Sequence, residues 1–146
     1  MEKDLVVKEA VLEVRADKVW RAITNSWEME YWYFSIDDFK AEPGFEFKIY
    51  GERKGIKFPI SCIVQEAVLN KVLSYTWSYD DFPAETLVRF KLNEIGGHTQ
   101  LRLTHSGLEK IPGDNADVSV HNHREGWDFI IDSSLKQYLE KESFDS

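Results

Sequence analysis

Cysteine is nearly absent: Cys62 stands alone in a chain of 146 residues. No internal disulfide can form, which fits a reducing, cytoplasmic compartment. Long apolar runs are missing as well. No stretch approaches the ~20 apolar residues of a membrane span. The opening MEKDLVVKEAVLEV has no extended apolar segment and no small-residue cleavage site, so no signal peptide is expected. Cations are scarce: 18 Lys and Arg face 26 Asp and Glu, a formal net charge of −8. That balance argues against nucleic-acid binding, which depends on cations neutralising phosphates. The chain also lacks a Gly-rich phosphate loop, a nucleophile elbow and a paired-carboxylate motif. No Cys/His spacing matches a zinc site, so neither metal nor cofactor is expected.

Aromatic residues are plentiful: five Trp, six Tyr and nine Phe make 14% of the chain. With abundant branched aliphatics they exclude disorder. The length suits one domain, residues 1–146. Residues 4–14 read as a strand in which Leu5 and Val7 go out of phase with Val11 and Val14, implying a bulge near Glu9–Ala10. Val19, Trp20, Ile23 and Trp27 recur at helical spacing, and a second short helix follows through Glu28–Phe34. Residues 35–43 are polar and read as a loop.

From Gly44 the period falls to two. Phe45, Phe47 and Ile49 share a face, and Gly51–Gly55 holds a turn. Ile60, Cys62 and Val64 follow on the next strand. Leu73, Tyr75, Trp77 and Tyr79 alternate with Ser74, Thr76 and Ser78. After a loop at Asp80–Ala84, Thr86, Val88, Phe90 and Leu92 alternate with polar neighbours. Gly96–Gly97 turns the chain into Thr99, Leu101, Leu103 and His105. One apolar and one polar face across successive strands predict an antiparallel sheet with one covered face. A linker at Gly107–Asp114 leads to a long helix over about 117–142. Its stripe is Trp127, Ile130, Ile131, Ser134, Leu135 and Tyr138. The outcome is an α+β fold: a curved six-stranded antiparallel sheet, two short helices after the first strand, and a long C-terminal helix across the sheet. Strong curvature predicts a cavity between sheet and helix.

The same residues carry a family resemblance. Val19-Trp20 with Ile23-Thr24, then Trp32, Gly44-Phe45-Glu46-Phe47 and Leu73-Ser74-Tyr75-Thr76-Trp77 come in a characteristic order. Thr86-Leu87-Val88, Thr99-Gln100-Leu101, His105-Ser106-Gly107 and Gly126-Trp127 complete it. In this the chain resembles the family named after the activator of the heat-shock-protein-90 ATPase. That family lies within the START/Bet v-like helix-grip superfamily. The resemblance implies a helix-grip domain with a ligand cavity, and its name suggests a stress or chaperone-associated role. Cys62 departs from it, since many relatives carry Gly there. The separate N-terminal domain of the co-chaperone, with its Trp- and Asn-rich motif, has no counterpart in the chain, so the name is no evidence of chaperone activation.

The candidate site follows from the inward face. The expected ligand-binding residues are Trp32, Phe45, Phe47, Cys62, Tyr75, Trp77, Tyr79, Phe90, Leu103, His105, Trp127 and Ile131. Trp32, Tyr33 and Phe34 are placed near the mouth as a gate. Tyr and Trp bring polar tips that a core built only for packing would seldom use. The expected partner is a small hydrophobic or aromatic molecule. An enzymatic alternative, cyclase- or hydrolase-like, would use His105, Tyr75 and Glu125. Cys62, flanked by apolar alternation, reads as an inert buried thiol. His121-Asn122-His123 makes a poor chelate on a helix, because residues two apart diverge. Phe129, about 200° from Trp127 around the helix, lies off the apolar stripe and suggests a homodimer or another partner contact.

Overall fold

The computed structural model describes residues 5–53, 55–79, 85–108 and 120–145. Strand β1 (Val6–Leu12) is followed by α1 (Ala16–Thr24), α2 (Ser26–Trp32) and the two-residue strand β2 (Ser35–Ile36). Next come β3 (Glu46–Arg53), β4 (Ile56–Val68), β5 (Val72–Tyr79), β6 (Glu85–Ile95) and β7 (His98–Ser106). The C-terminal helix runs as α3 (Val120–Asp128), a π-helical segment (Phe129–Leu135) and α4 (Lys136–Asp145). The strands form a seven-stranded sheet in the order β1-β7-β6-β5-β4-β3-β2, antiparallel throughout. This is the antiparallel sheet with one covered face and a C-terminal helix that the alternating faces predict.

Several details differ from the sequence reading. The sheet has a seventh strand because Ser35 and Ile36 pair with Tyr50 and Ile49 inside the stretch expected to be a loop. Two residues are too short for a periodic signal. The expected turn at Gly51–Gly55 shrinks, since β3 runs to Arg53 and β4 begins at Ile56. The bulge expected in β1 is absent: its register with β7 is unbroken from Val6↔His105 to Leu12↔Thr99. Val6, Ala10 and Leu12 point inward, whereas Val7 and Val11 are exposed. Lys8 occupies the inward slot that breaks the apolar pattern. Its stem is covered and its ammonium reaches Asp132 at 2.6 Å and Asp128 at 3.5 Å on the C-terminal helix. The hydrogen bond to Asp132 raises the Lys8 pKa above its usual value against the opposing effect of burial. The sheet's irregularity lies instead in β4, where the register shifts between Val64 and Glu66.

The apolar face of the sheet and the helix stripe form one core. Leu73, Tyr75, Val88, Phe90, Leu101 and Leu103 meet Trp127, Ile131, Leu135 and Leu139. Those helical residues recur every four positions, which on a regular helix of 3.6 residues per turn would drift around the axis. The wider π turns between Phe129 and Leu135 carry the stripe back toward the sheet. The far side of the central strand is also closed. Ser74 is fully buried and donates to Glu66, which pairs with Arg89. Thr76 accepts from the Ile63 amide.

The short helices are pinned by side chains from elsewhere. Arg15 offers α1 no side-chain cap, and the Ala16 amide donates to Glu94 of β6 at 2.8 Å. Asn25 caps α2 by accepting from the Trp27 and Glu28 amides. Trp32 donates its indole N–H to the Ala22 carbonyl at 2.8 Å, locking α2 against α1. Glu28 pairs with Arg21 and accepts from the Tyr138 hydroxyl, tying both helices to α4. No helix among the described residues is long and apolar enough to cross a membrane.

The two sides of the helix should answer differently to truncation. Ile131→Ala, at a fully buried position, is expected to cost about 2–5 kcal/mol. Phe129→Ala, at a residue 64% exposed, should stay within about 0.5 kcal/mol. Urea unfolding of both variants checks the assignment of faces.

Candidate functional site

Trp77, near the end of β5, and Trp127, on α3, face each other with ring centroids 5.6 Å apart. A chain of buried hydrogen bonds links them. Trp127 Nε1 donates to His105 Nδ1 at 3.0 Å. An indole nitrogen can only donate, so Nδ1 of His105 is the acceptor and the ring proton resides on Nε2. That nitrogen lies 2.8 Å from Thr86 Oγ1 and donates to it. Thr86 passes its own hydrogen to the Trp77 carbonyl at 2.7 Å. Helix, β7, β6 and β5 are thereby joined by one directed relay. Burial, and then the charge of nearby His123, push the His105 pKa well below its usual value, so the ring is neutral.

Beside this relay a cleft of about 120 Å³ opens, lined by Phe34, Trp77, Tyr79, His123, Gly126, Trp127 and Ile130. No Lys, Arg, Asp or Glu is among these side chains. The Tyr79 hydroxyl is 2.8 Å from His123 Nε2. Burial pushes the Tyr79 pKa up to about 12, only partly offset by the nearby Trp77 indole. Trp77 Nε1 itself closes no hydrogen bond among the described residues. Gly126 leaves the helix bare where it passes the cleft, and a Cβ placed there would meet nothing within 4 Å. A wider depression of about 730 Å³ lies elsewhere, over β1, β7 and β6, and is rimmed by Glu9, Lys91 and Arg102. Its rim is of mixed charge, whereas the described lining of the aromatic cleft holds no Lys, Arg, Asp or Glu, so the cleft is the better candidate for an apolar guest.

Of the residues expected at the site, Trp77, Tyr79 and Trp127 line the cleft, and Phe34 does so from the expected gate. The others sit deeper or to one side. Tyr75 is fully buried, with its hydroxyl 2.6 Å from that of Tyr33. Burial lifts both phenols well above their ordinary pKa, helped for Tyr33 by the neighbouring Tyr75. Phe45 and Phe47 pack against Phe39, and Phe47 meets Tyr75 edge-on at 5.1 Å. Phe90 packs edge-on to Trp127. Leu103 and Ile131 are fully buried, and Trp32 serves the helix pair. Cys62 is buried, its thiol directed to the Ile60 carbonyl at 3.7 Å, and burial pushes its pKa far up. Glu125 is exposed and does not line the cleft.

Three further residues line the cleft without having been expected there: His123, Gly126 and Ile130. Ile130 was visible on the helical stripe, and Gly126 marked the helix only as part of a motif. In sequence His123 is half of a His-x-His pair, whereas in the fold it turns inward to Tyr79 and meets His105 edge-on at 5.0 Å. The side chain of His121, like residues Asp80–Ala84, Asp114 and Asp117, lies outside the described residues. Among the described residues, no three His, Cys, Asp or Glu side chains converge as a metal site would require.

Comparison with known proteins places this geometry. Residues 13–140 match the family model described as activator of Hsp90 ATPase homolog 1-like protein. No curated protein matches the chain. Among solved structures, protein MLL2253 from Mesorhizobium loti is 29% identical with a TM-score of 0.76, covering 94% of this chain and 97% of its own. Protein CV1439 from Chromobacterium violaceum is 19% identical with a TM-score of 0.82, over 94% and 98% of the two chains. The Aha1 dimer from Colwellia psychrerythraea is 18% identical with a TM-score of 0.71, over 93% and 96%.

The relay makes a signed pH prediction. The unfolded chain takes up a proton at His105 near the ordinary pH of about 6.5, and the folded protein refuses it until lower pH. Stability therefore falls as pH drops below about 6.5, by at most about 1.4 kcal/mol per pH unit from this residue. Urea unfolding across that range should show the slope, and His105→Gln should flatten it by up to one proton's worth. Trp127→Phe, which strands Nδ1 without its donor, should cost about 1–3 kcal/mol at neutral pH.

Proposed function

Because the chain belongs to the activator of Hsp90 ATPase homolog 1-like family, and a cleft parts its helix from its sheet, we propose that it binds a small, neutral, ring-sized apolar molecule there. The cleft carries this reading. Its volume of about 120 Å³ is close to that of an engineered apolar cavity, about 150 Å³, that admits benzene. It falls below the ~300 Å³ at which pockets for larger ligands begin. The walls are aromatic rings, suited to a planar guest in offset or edge-on contact. Among the described residues, no Lys, Arg, Asp or Glu lines the cleft, which favours an uncharged guest.

Binding is favoured over turnover by the state of the titratable groups. Both ring nitrogens of His105 are engaged. The phenols of Tyr33, Tyr75 and Tyr79 and the thiol of Cys62 are all held protonated by burial. Among these groups none is an anion poised to attack a substrate.

A second reading, self-association, rests on the exposed ring of Phe129 and on the Colwellia psychrerythraea relative, whose structure is that of a dimer. In this reading Phe129→Asp would shift the chain toward monomer in sedimentation velocity, with the fold intact.

Gly126 supplies the sharper test. Gly126 is a lining residue, and a Cβ there would meet nothing within 4 Å, so Gly126→Leu adds bulk at the margin of the cleft without a clash. It should abolish quenching of tryptophan fluorescence by indole or benzyl alcohol while leaving the far-UV spectrum unchanged. Gly126→Ala should stabilise the helix by about 0.5–1 kcal/mol. Equal quenching in wild type and Gly126→Leu would sink the reading.

A further inference from the structure

A second aromatic surface lies on α2, apart from the cleft. Trp32, Trp77 and Trp127 are buried and Trp20 is half-buried, but Trp27 is 80% exposed. Tyr31, one helical turn on, is 78% exposed and stacks on Tyr138 at 6.0 Å with the rings nearly parallel. Trp27 also forms a wall of a groove of about 220 Å³ with Ser26, Glu30, Ile36 and Asp37. Trp27 and Glu30 share a helix face at i, i+3 spacing. Ile36 and Asp37 come from β2 and the residue after it. Strand β2 ends the sheet, with β3 on one side and no strand on the other among the described residues.

The chemistry of the groove is one-sided. It holds two carboxylates and no basic residue. Elsewhere the surface carboxylates are commonly matched: Asp132 with Lys8, Glu9 with Arg102, Glu66 with Arg89, Glu140 with Lys136. Glu30 and Asp37 make no ion pair or hydrogen bond among the described residues. An open indole face flanked by two unmatched carboxylates suits a planar cation. A guanidinium can stack on the ring while its edge N–H groups reach the carboxylates; an ammonium offers only a point charge. The aromatic strip continues past the groove to Tyr31 and Tyr138, and the edge of β2 lies alongside. That extent suits a polypeptide better than a small amine.

We propose that α2 and β2 form a docking surface for a basic, arginine-containing segment of a partner protein, with one guanidinium seated on Trp27 between Glu30 and Asp37. The full chain is titrated against a fluorescein-labelled peptide of alternating Arg and Gly, followed by anisotropy. Saturable binding that weakens with added salt is expected. Trp27→Ala should weaken it by about tenfold, as should the pair Glu30→Gln with Asp37→Asn. The charge-matched pair Glu9→Gln with Asp128→Asn, outside the groove, should leave it unchanged, and a Lys/Gly peptide should bind more weakly than the Arg/Gly one. Equal loss from both charge pairs would mean attraction by net charge alone and would overturn the proposal. Unchanged affinity in a folded Trp27→Ala variant would overturn it too. Free arginine amide binding as tightly as the peptide would replace the docking surface with a small-molecule site. Self-association abolished by Trp27→Ala would assign the surface to a second copy of the chain instead.

Discussion

The hydrogen bond from the Trp127 indole to His105 Nδ1 is the contact around which the grip is arranged. Trp127 can only donate, and the nitrogen it meets can accept only while His105 is neutral. The proton is thereby forced to Nε2, which fixes the direction of the next two hydrogen bonds through Thr86 to the Trp77 carbonyl. An unsatisfied polar atom at any point in this buried chain would be costly, so its members hold one another in place. The arrangement sets the rotation of α3 over the sheet, and with it the separation of the Trp127 and Trp77 rings. The cleft is the space left beside that fixed pair.

Contacts at the margin then fix the helix along its length. Lys8 reaches Asp128 and Asp132 from β1, Lys136 donates to the Val11 carbonyl, and Tyr138 donates to Glu28 on α2. Partly exposed ion pairs are individually worth little, about 0–1 kcal/mol each. The buried stripe supplies the adhesion, and the polar ties select its position. The π-helical turns keep the stripe on the sheet while Gly126 removes bulk where Trp127 begins it. The cleft thus lies beside rings whose positions are already determined by hydrogen bonds.

Much of this was legible in the chain. Alternation in Leu73–Tyr79, Thr86–Leu92 and Thr99–His105 pointed to a one-sided antiparallel sheet. The periodic run from Trp127 pointed to the helix that covers it. Where a residue broke its own pattern, the reading failed. Lys8 in an inward slot mimicked a bulge, although a lysine can bury its stem and still discharge its ammonium to a partner. Strand β2 is too short to show a period, and nothing in local composition marks the π turns, which answer to packing. The site was legible as a face and not as a cavity. Trp77, Tyr79 and Trp127 share the inward phase and line the cleft. Phe90, Leu103 and Ile131 share that phase and are buried in the core.

The sequence by itself determined which side chains face inward, because period two and period 3.6 are properties of the chain alone. It also determined the family, through motifs kept in order along nearly the whole length. Only the tertiary structure decided what the inward residues do. Two residues of like phase can be a packed ring or a cleft wall, depending on what the opposing helix places there. His105 looked like a possible base when viewed along its strand. Surrounded by Trp127, Thr86 and His123, it is a neutral link whose two nitrogens are already taken. The same holds for Trp27, whose helical spacing placed it with the core. Its exposure beside Glu30 and Asp37 emerged only when α2 was laid against β2.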